Sequence, residues 1–468
     1  MFQLHLADNN LGYTQSTRVS TPGLLAVGCI SCGRQKIAVA RISVNQLYFC
    51  RVRPKRGTFE ITGPCVDRKE ATAKAVQILI CKEIRMLDRD RLISFTRDIV
   101  RIQSLSGEEA QVSRRIEEEM TALGFDRVWT DSVGNVVGVV EGAQPGPTIV
   151  FDAHTDTVGV SPGVPWELDP FSGEIRDGAL HGRGAADMKG ALAAMVHGIS
   201  GLDRAEMKGK AVVSASVMEE VLEGVALEKV IEQTGADFVV IGEASDLQIV
   251  RGGRGRAEIH LTTTGRPSHS SAPQMGRNAV LDMMRVIAAV EDLALDEHPQ
   301  MGPAIFALTD IISEPYPGHS VIPSICRVTY DRRLLPGEAA ERVLADISER
   351  PELADIQLDA RVGTGEYRSY TGHTFVTEKF FPAWLADDAD PFVTGALAAV
   401  HGVGIDAGLN AYRFCTNAAY SAGVASIPTI GFGPATEADA HIINERLKLD
   451  DLIAAAQGYR AIGEAVLG

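Results

Sequence analysis

His154, Asp187, Glu220, Glu243 and His441 are the donor set that a pair of Zn²⁺-like ions requires: an imidazole and a terminal carboxylate for each ion, and one carboxylate to share. Asp187 is the candidate for the shared position. It follows Gly182-Arg183-Gly184 and opens an Ala-rich helix expected over 189–199, whose positive end keeps a carboxylate ionised. His154 and Asp156 lie two apart on extended chain and point the same way, so Asp156 can fix the ring of His154. Glu219 and Glu220 are adjacent and diverge, which lets Glu220 hold metal while Glu219 faces water as the general base. The set implies two divalent metal ions, zinc first, with cobalt or manganese acceptable to the same donors.

Taken singly, each feature has a plainer reading, since His-x-Asp is commonly a surface turn and Glu-Glu commonly solvated charge. Position argues otherwise. The apolar run 148–151 leads into Asp152-Ala153-His154-Thr155-Asp156, 212–217 into Met218-Glu219-Glu220, 238–241 into Gly242-Glu243, and 428–432 precedes the loop carrying His441. In open α/β sheets, ligands gather outside the carboxyl ends of strands, so four such ends bearing His, Asp and Glu make a site hypothesis.

The elements that must position these residues are legible around them. A helix is expected over 89–102. In a second, Ser106 and Glu109 read as a capping box, Val112, Ile116, Met120 and Leu123 recur on one face, and Gly124 supplies the stop. Strands follow at 127–130, 135–140 and 148–151. The fold class is α/β: a mostly parallel mixed sheet flanked by helices. Further on, a strand at 256–264, a helix at 278–293, strands at 304–312 and 325–334, a helix at 338–349 and a strand at 356–362 run βαββαβ, the ferredoxin-like split unit. The expected organisation is a catalytic domain in two parts, 86–255 and 372–468, interrupted by a lid domain at 256–371 and preceded by an extension, 1–85.

The motifs Phe151-Asp152-Ala153-His154-Thr155-Asp156-Thr157-Val158, Trp166 with Asp169-Pro170-Phe171, and Gly182-Arg183-Gly184-Ala185-Ala186-Asp187-Met188-Lys189-Gly190 carry a resemblance, as do Glu219-Glu220, Gly242-Glu243-Ala244 and Gly431-Phe432-Gly433-Pro434 leading to His441 and Asn444-Glu445. Over roughly 88–468 the chain resembles the dinuclear-zinc aminoacylase and carboxypeptidase family, which includes succinyl-diaminopimelate desuccinylase, acetylornithine deacetylase and carboxypeptidase G. Phe381-Pro382-Ala383-Trp384 and Cys415-Thr416-Asn417 look most like a subgroup often labelled selenium-metabolism-linked hydrolases.

The resemblance implies a lid that forms a homodimer and a cis peptide after Asp187. It also implies that His269, in Gly265-Arg266-Pro267-Ser268-His269-Ser270-Ser271, reaches the neighbouring subunit's site and donates a hydrogen bond to the tetrahedral oxyanion. Locally, a surface-turn histidine remains open. Arg333, in Asp331-Arg332-Arg333, matches a lid arginine that grips a substrate carboxylate, and a solvated charge on a strand face is the alternative. Asn278 matches a position that binds the same carboxylate, although helix N-capping explains it as well. Ser320-Val321-Ile322-Pro323 departs from the family's Asn-Val-Ile-Pro, and His181, where Tyr is usual, reads as a packing variant. Gly252-Gly253-Arg254-Gly255 is no phosphate loop, because no Lys-Ser/Thr follows and no helix opens there.

The implied reaction is hydrolysis of an amide bond in a small N-acylated amino acid or dipeptide, with Glu219 taking a proton from water and passing it to the leaving amine. An N-carbamoyl-amide hydrolase and a non-catalytic metal-binding homologue are the alternatives. An intact Glu219 beside intact ligands argues against the second.

Composition bounds these readings. The 468 residues, 45% of them apolar, suffice for two or three domains. A formal charge of −16 argues against a nucleic-acid partner held through its phosphates. No apolar run approaches the roughly 20 residues of a membrane span, and the N-terminus lacks signal-peptide order, so a cytoplasmic protein is expected. Residues 1–85 hold 13 Lys and Arg against 5 Asp and Glu, and the remainder 32 against 56. Cys29, Cys32, Cys50 and Cys65 also fall in this first segment. It reads either as a small zinc site, from the Cys29–Cys32 gap, or as a weakly ordered extension with Met86 as the natural beginning.

Overall fold

The computed structural model describes residues 87–468 except Pro162 and, within residues 1–86, the backbone of five strands. Those strands, Ala26–Cys32, Gln35–Ser43, Gln46–Lys55, Thr58–Ile61 and Val66–Asp67, pair antiparallel. The cysteine side chains of the suggested zinc site lie outside the described residues. Residues 1–86 and 87–468 are separate compact units.

The second unit opens with helix α1 (Arg89–Arg101), capped by Asp88, whose carboxylate accepts from the Arg91 N–H at 3.0 Å. Helix α2 (Ala110–Ala122) buries Val112, Ile116 and Met120 and stops at Gly124, which supplies a φ of 77°. Strands β1 (Arg127–Thr130), β2 (Val136–Glu141) and β3 (Gln144–His154) follow. Next come α3 (Gly190–Ser200), β4 (Lys208–Ser216), α4 (Val225–Thr234), β5 (Phe238–Ile241) and β6 (Ile249–Gly253).

The chain then enters the lid through β7 (Gly255–Thr264), α5 (Ala279–Glu291), β8 (Ile305–Glu314), β9 (Ile325–Leu334), α6 (Ala340–Ser348) and β10 (Gln357–Val362). The strands lie in the antiparallel order β8-β9-β7-β10, that of the ferredoxin-like unit. Alternate residues of β7 and β9 are buried. Ile259, Leu261, Val328 and Tyr330 thereby meet Met283, Val286 and Ile347 of the two helices in a core of their own.

The return is short. Strand β11 (Phe380–Phe381) still pairs with β7 of the lid, whereas β12 (Trp384–Leu385) already pairs with β6 of the main sheet. Helix α7 (Pro391–Gly402), β13 (Leu409–Tyr412), β14 (Thr429–Gly431) and α8 (Leu449–Leu467) complete the unit.

The main sheet runs β12-β6-β14-β5-β3-β4-β2-β1, with β13 also on β6. Its centre, β14-β5-β3-β4, is parallel, and β2 and β1 are antiparallel to their neighbours. Central parallel strands are covered on both faces, which is why 149–154 is buried without interruption. Ile149, Phe151 and Ala153 pack in the cluster containing α3 and α8, and Val150 in the cluster containing α4. Among the described residues, no helix is long and apolar enough to cross a membrane.

Candidate metal centre

The carboxyl ends of β3, β4 and β5 converge with the loop after β14. His154 ends β3, Glu219 and Glu220 lie just beyond β4, and Glu243 just beyond β5. Asp187 sits in the turn before α3 with φ −126° and ψ 96°, outside the helical range, and its bond to Met188 is cis, as the resemblance implies.

Asp187 offers one oxygen to each imidazole. Oδ1 lies 3.0 Å from His154 Nε2, and Oδ2 lies 3.0 Å from His441 Nε2. Glu220 Oε2 is 3.1 Å from His441 Nε2. Glu243 Oε1 and Glu219 Oε2 are 3.7 and 3.9 Å from His154 Nε2. Two half-sites result, His154 with Glu243 and His441 with Glu220, joined through Asp187. Glu219 stands beside the first, and with His154 and Glu243 it forms a donor group close enough to hold an ion itself.

The electrostatics fit a cationic occupant. Burial, reinforced by neighbouring carboxylates, raises Glu219 and Glu243 well above the usual carboxylate range, and burial raises Glu220. Burial also opposes ionisation of Asp187, but hydrogen bonds to His154 and His441 outweigh it and hold that carboxyl low. His441 is pushed up to about 10, first by its hydrogen bonds to Asp187 and Glu220. Two divalent cations would balance the charge of Asp187, Glu219, Glu220 and Glu243 with both imidazoles neutral, and neutral imidazole is the ligand form.

Two local expectations are corrected. His154 Nδ1 lies 2.8 Å from the backbone carbonyl of Asp156 and 3.6 Å from its Oδ1, so the main chain orients the ring. The Asp156 carboxylate instead accepts from the N–H groups of Glu219 and Glu220, at 3.1 and 3.2 Å, and from Ser106 Oγ at 2.7 Å. With β4 ended at Ser216 those N–H groups lie beyond the strand's ladder, and the Asp156 carboxylate oxygens take the ladder's place. The capping box also fails: Glu109 is itself the N-cap of α2 and makes no side-chain cap bond. Glu445 plays a related part for Asp187, accepting from the N–H groups of Ala186 and Asp187 at 2.8 and 3.1 Å and from Arg183 at 2.6 Å.

Residues 150–465 match the Peptidase family M20/M25/M40. The chain belongs to that family. YgeY, an uncharacterised protein of Escherichia coli (strain K12), is 34% identical over 377 residues, covering 79% of this chain and 92% of that protein. Succinyl-diaminopimelate desuccinylase 2 of Ruegeria sp. (strain TM1040) is 26% identical over 317 residues, covering 65% and 80% respectively. The Bacillus subtilis YXEP protein, a dinuclear metal binding peptidase from the M20 family, shares the fold with a TM-score of 0.61 at 17% identity, over 81% of this chain and 98% of that one. This M20-family chain is a hydrolase.

In this M20-family hydrolase a cavity of about 360 Å³ is lined by the carboxylates of the centre and His441, by Arg256 and Arg333 of the lid, and by Phe414, Cys415 and Glu437. Arg333 thus reaches the cavity, its Nε donating to Asp331 at 2.7 Å. Asn278 does not line it; its side chain caps α5, accepting from the Val280 and Leu281 N–H groups at 3.0 and 3.4 Å. His269 is exposed on the lid, its Nδ1 2.8 Å from Ser271 Oγ, and does not line the cavity either. Arg256 was not anticipated. It holds Glu223 through Nε and, at 2.8 Å, through Nη2, a two-bond pairing across the catalytic and lid segments that no local spacing announces.

Proposed function

We propose that the protein hydrolyses an amide bond of a small N-acylated amino acid or dipeptide with two divalent cations, zinc first, held by His154, Asp187, Glu220, Glu243 and His441. The observation carrying this reading is the Asp187 carboxylate, which presents a separate oxygen to each of two imidazoles at 3.0 Å. When bound, such cations supply Lewis acidity, lowering the pKa of water and polarising the scissile carbonyl. Glu219 accepts the water proton on its carboxylate and passes it to the leaving amine nitrogen. Asp156 keeps Glu219 and Glu220 in place through their N–H groups. Arg333 takes the substrate carboxylate. Asn278 is the second group for that carboxylate, its Oδ1 meanwhile capping α5.

His269 belongs to the neighbouring subunit's site and donates to the tetrahedral oxyanion. A homodimer through the lid is supported by β8, an edge strand with Leu308, Ile311 and Ile312 exposed, and by Leu281 and Met284 exposed on α5. The working protein is cytoplasmic, with catalytic segments 86–255 and 372–468 and lid 256–371.

The test is a panel of N-acyl amino acids, N-carbamoyl amino acids and dipeptides against metal-replete protein. Turnover of an acyl or peptide substrate, abolished by chelator and restored by zinc, cobalt or manganese, is expected. Turnover confined to carbamoyl compounds would transfer the assignment to that class, and none at all would leave a metal-binding homologue.

A further inference from the structure

The N–H groups of the segment that carries Glu219 and Glu220 are taken by side chains from elsewhere. Four successive peptide N–H groups beyond β4 each meet a side-chain oxygen: Val217 with Asn135 Oδ1 at 3.1 Å, Met218 with Glu109 Oε1 at 3.2 Å, and Glu219 and Glu220 with the Asp156 carboxylate at 3.1 and 3.2 Å. Met218 has a φ of 63°, a left-handed conformation that a residue with a side chain seldom adopts unless its surroundings hold it there. It is the residue immediately before Glu219, so its peptide sets the direction in which the Glu219 side chain leaves the backbone.

Asn135 is itself tied down by Asp131 and the Ala226 carbonyl, at 2.8 and 2.9 Å. Glu109 is fully buried, and among the described residues its second oxygen, Oε2, has no hydrogen-bond partner. A buried carboxyl with one oxygen unused is costly to keep where any apolar residue would fill the space. Its Oε1 is the acceptor that the Met218 N–H meets. Gly107, in the turn before Glu109, has a φ of 87°, and a Cβ there would stand 2.8 Å from the Arg368 carbonyl. The same turn presents Ser106 to Asp156 and Glu109 to Met218.

We infer that Glu109 is a positioning residue for Glu219: by accepting the Met218 N–H it holds the left-handed turn that aims the proposed general base, with Ser106 steadying Asp156 in the same frame. The inference rests on the reading of Glu219 as general base. Glu109 touches no reacting atom, and a side chain that offers the same acceptor without a charge serves equally well.

Metal-replete Glu109→Leu, Glu109→Gln and Ser106→Ala proteins are compared with wild type and with Glu219→Gln for kcat, KM, bound metal and melting temperature. Glu109→Leu is expected to keep its metal and KM within about twofold while kcat falls at least tenfold, and Glu109→Gln to restore kcat to within about threefold of wild type. Ser106→Ala, which adds no volume, should lower kcat several-fold at unchanged KM and so carries the test should Glu109→Leu not fold. Adding Glu109→Leu to Glu219→Gln should cost nothing further, because its effect passes through Glu219. A fully active Glu109→Leu, or Leu and Gln variants equally impaired, overturns the inference while an inactive Glu219→Gln leaves the general base standing. Should Glu109→Leu fail to fold, a fully active Ser106→Ala overturns it instead. An active Glu219→Gln removes the general base and the inference with it.

Discussion

Glu219 and Glu220 are neighbours in sequence with the same side chain, yet they face different partners. Glu220 lies 3.1 Å from His441 and also accepts the Val158 N–H at 3.0 Å, whereas Glu219 looks toward His154 and Glu243. Glu219→Gln should retain both metals and lower kcat by about 10²-fold or more, the usual scale for a lost general base. Glu220→Gln should lose metal first, read by elemental analysis after dialysis. Equal metal content and equal residual activity would mean that the two share one role. Chelation itself should lower the melting temperature, since without cations the buried carboxylates repel one another; recovery on adding zinc or manganese checks this.

At the scale of elements, the turn into α2 carries a titration that folding shifts. Burial, with the charge of Asp156 adding to it, raises Glu109 to about 7, and Tyr370 also faces it. An acid whose folded pKa is raised is favoured in its protonated form, so its stabilisation is complete below the unfolded value near 4.5 and is lost as pH rises through about 7. Glu109→Gln removes this loss. Relative to wild type, the Gln variant should gain stability between pH 5 and pH 8, by on the order of 2–3 kcal/mol at most. Melting curves of both proteins across that range decide it, and a gap independent of pH would show that Glu109 does not titrate there.

For the whole molecule, the proposed dimer makes a prediction no single-chain variant can. His269→Ala should lower kcat by about 10²-fold or more, as loss of an oxyanion donor does. Mixed with Glu219→Ala under conditions that exchange subunits, it should regain activity, because the subunit with an intact Glu219 receives an intact His269 from its partner. Recovery should approach half of wild type per heterodimer. Confirmed exchange without recovery would place the action of His269 within its own chain, or nowhere.

The strands that end in the proposed donors and the βαββαβ order of the lid were legible in sequence, because each depends on local pattern: apolar runs and turn residues. Strand 325–334 and strand 238–241 fall where their β-rich runs place them. What tertiary structure decided is how polar groups found their partners. Ser106 and Glu109 have the spacing of a cap, but their side chains were drawn to the Asp156 carboxylate and to the buried Met218 N–H. The ring of His154 took the Asp156 carbonyl, leaving the carboxylate for Glu219 and Glu220. Arg256 met Glu223 across a sequence separation that no periodicity encodes. Local sequence specifies which groups a segment offers, whereas burial specifies which of them must be satisfied and by whom.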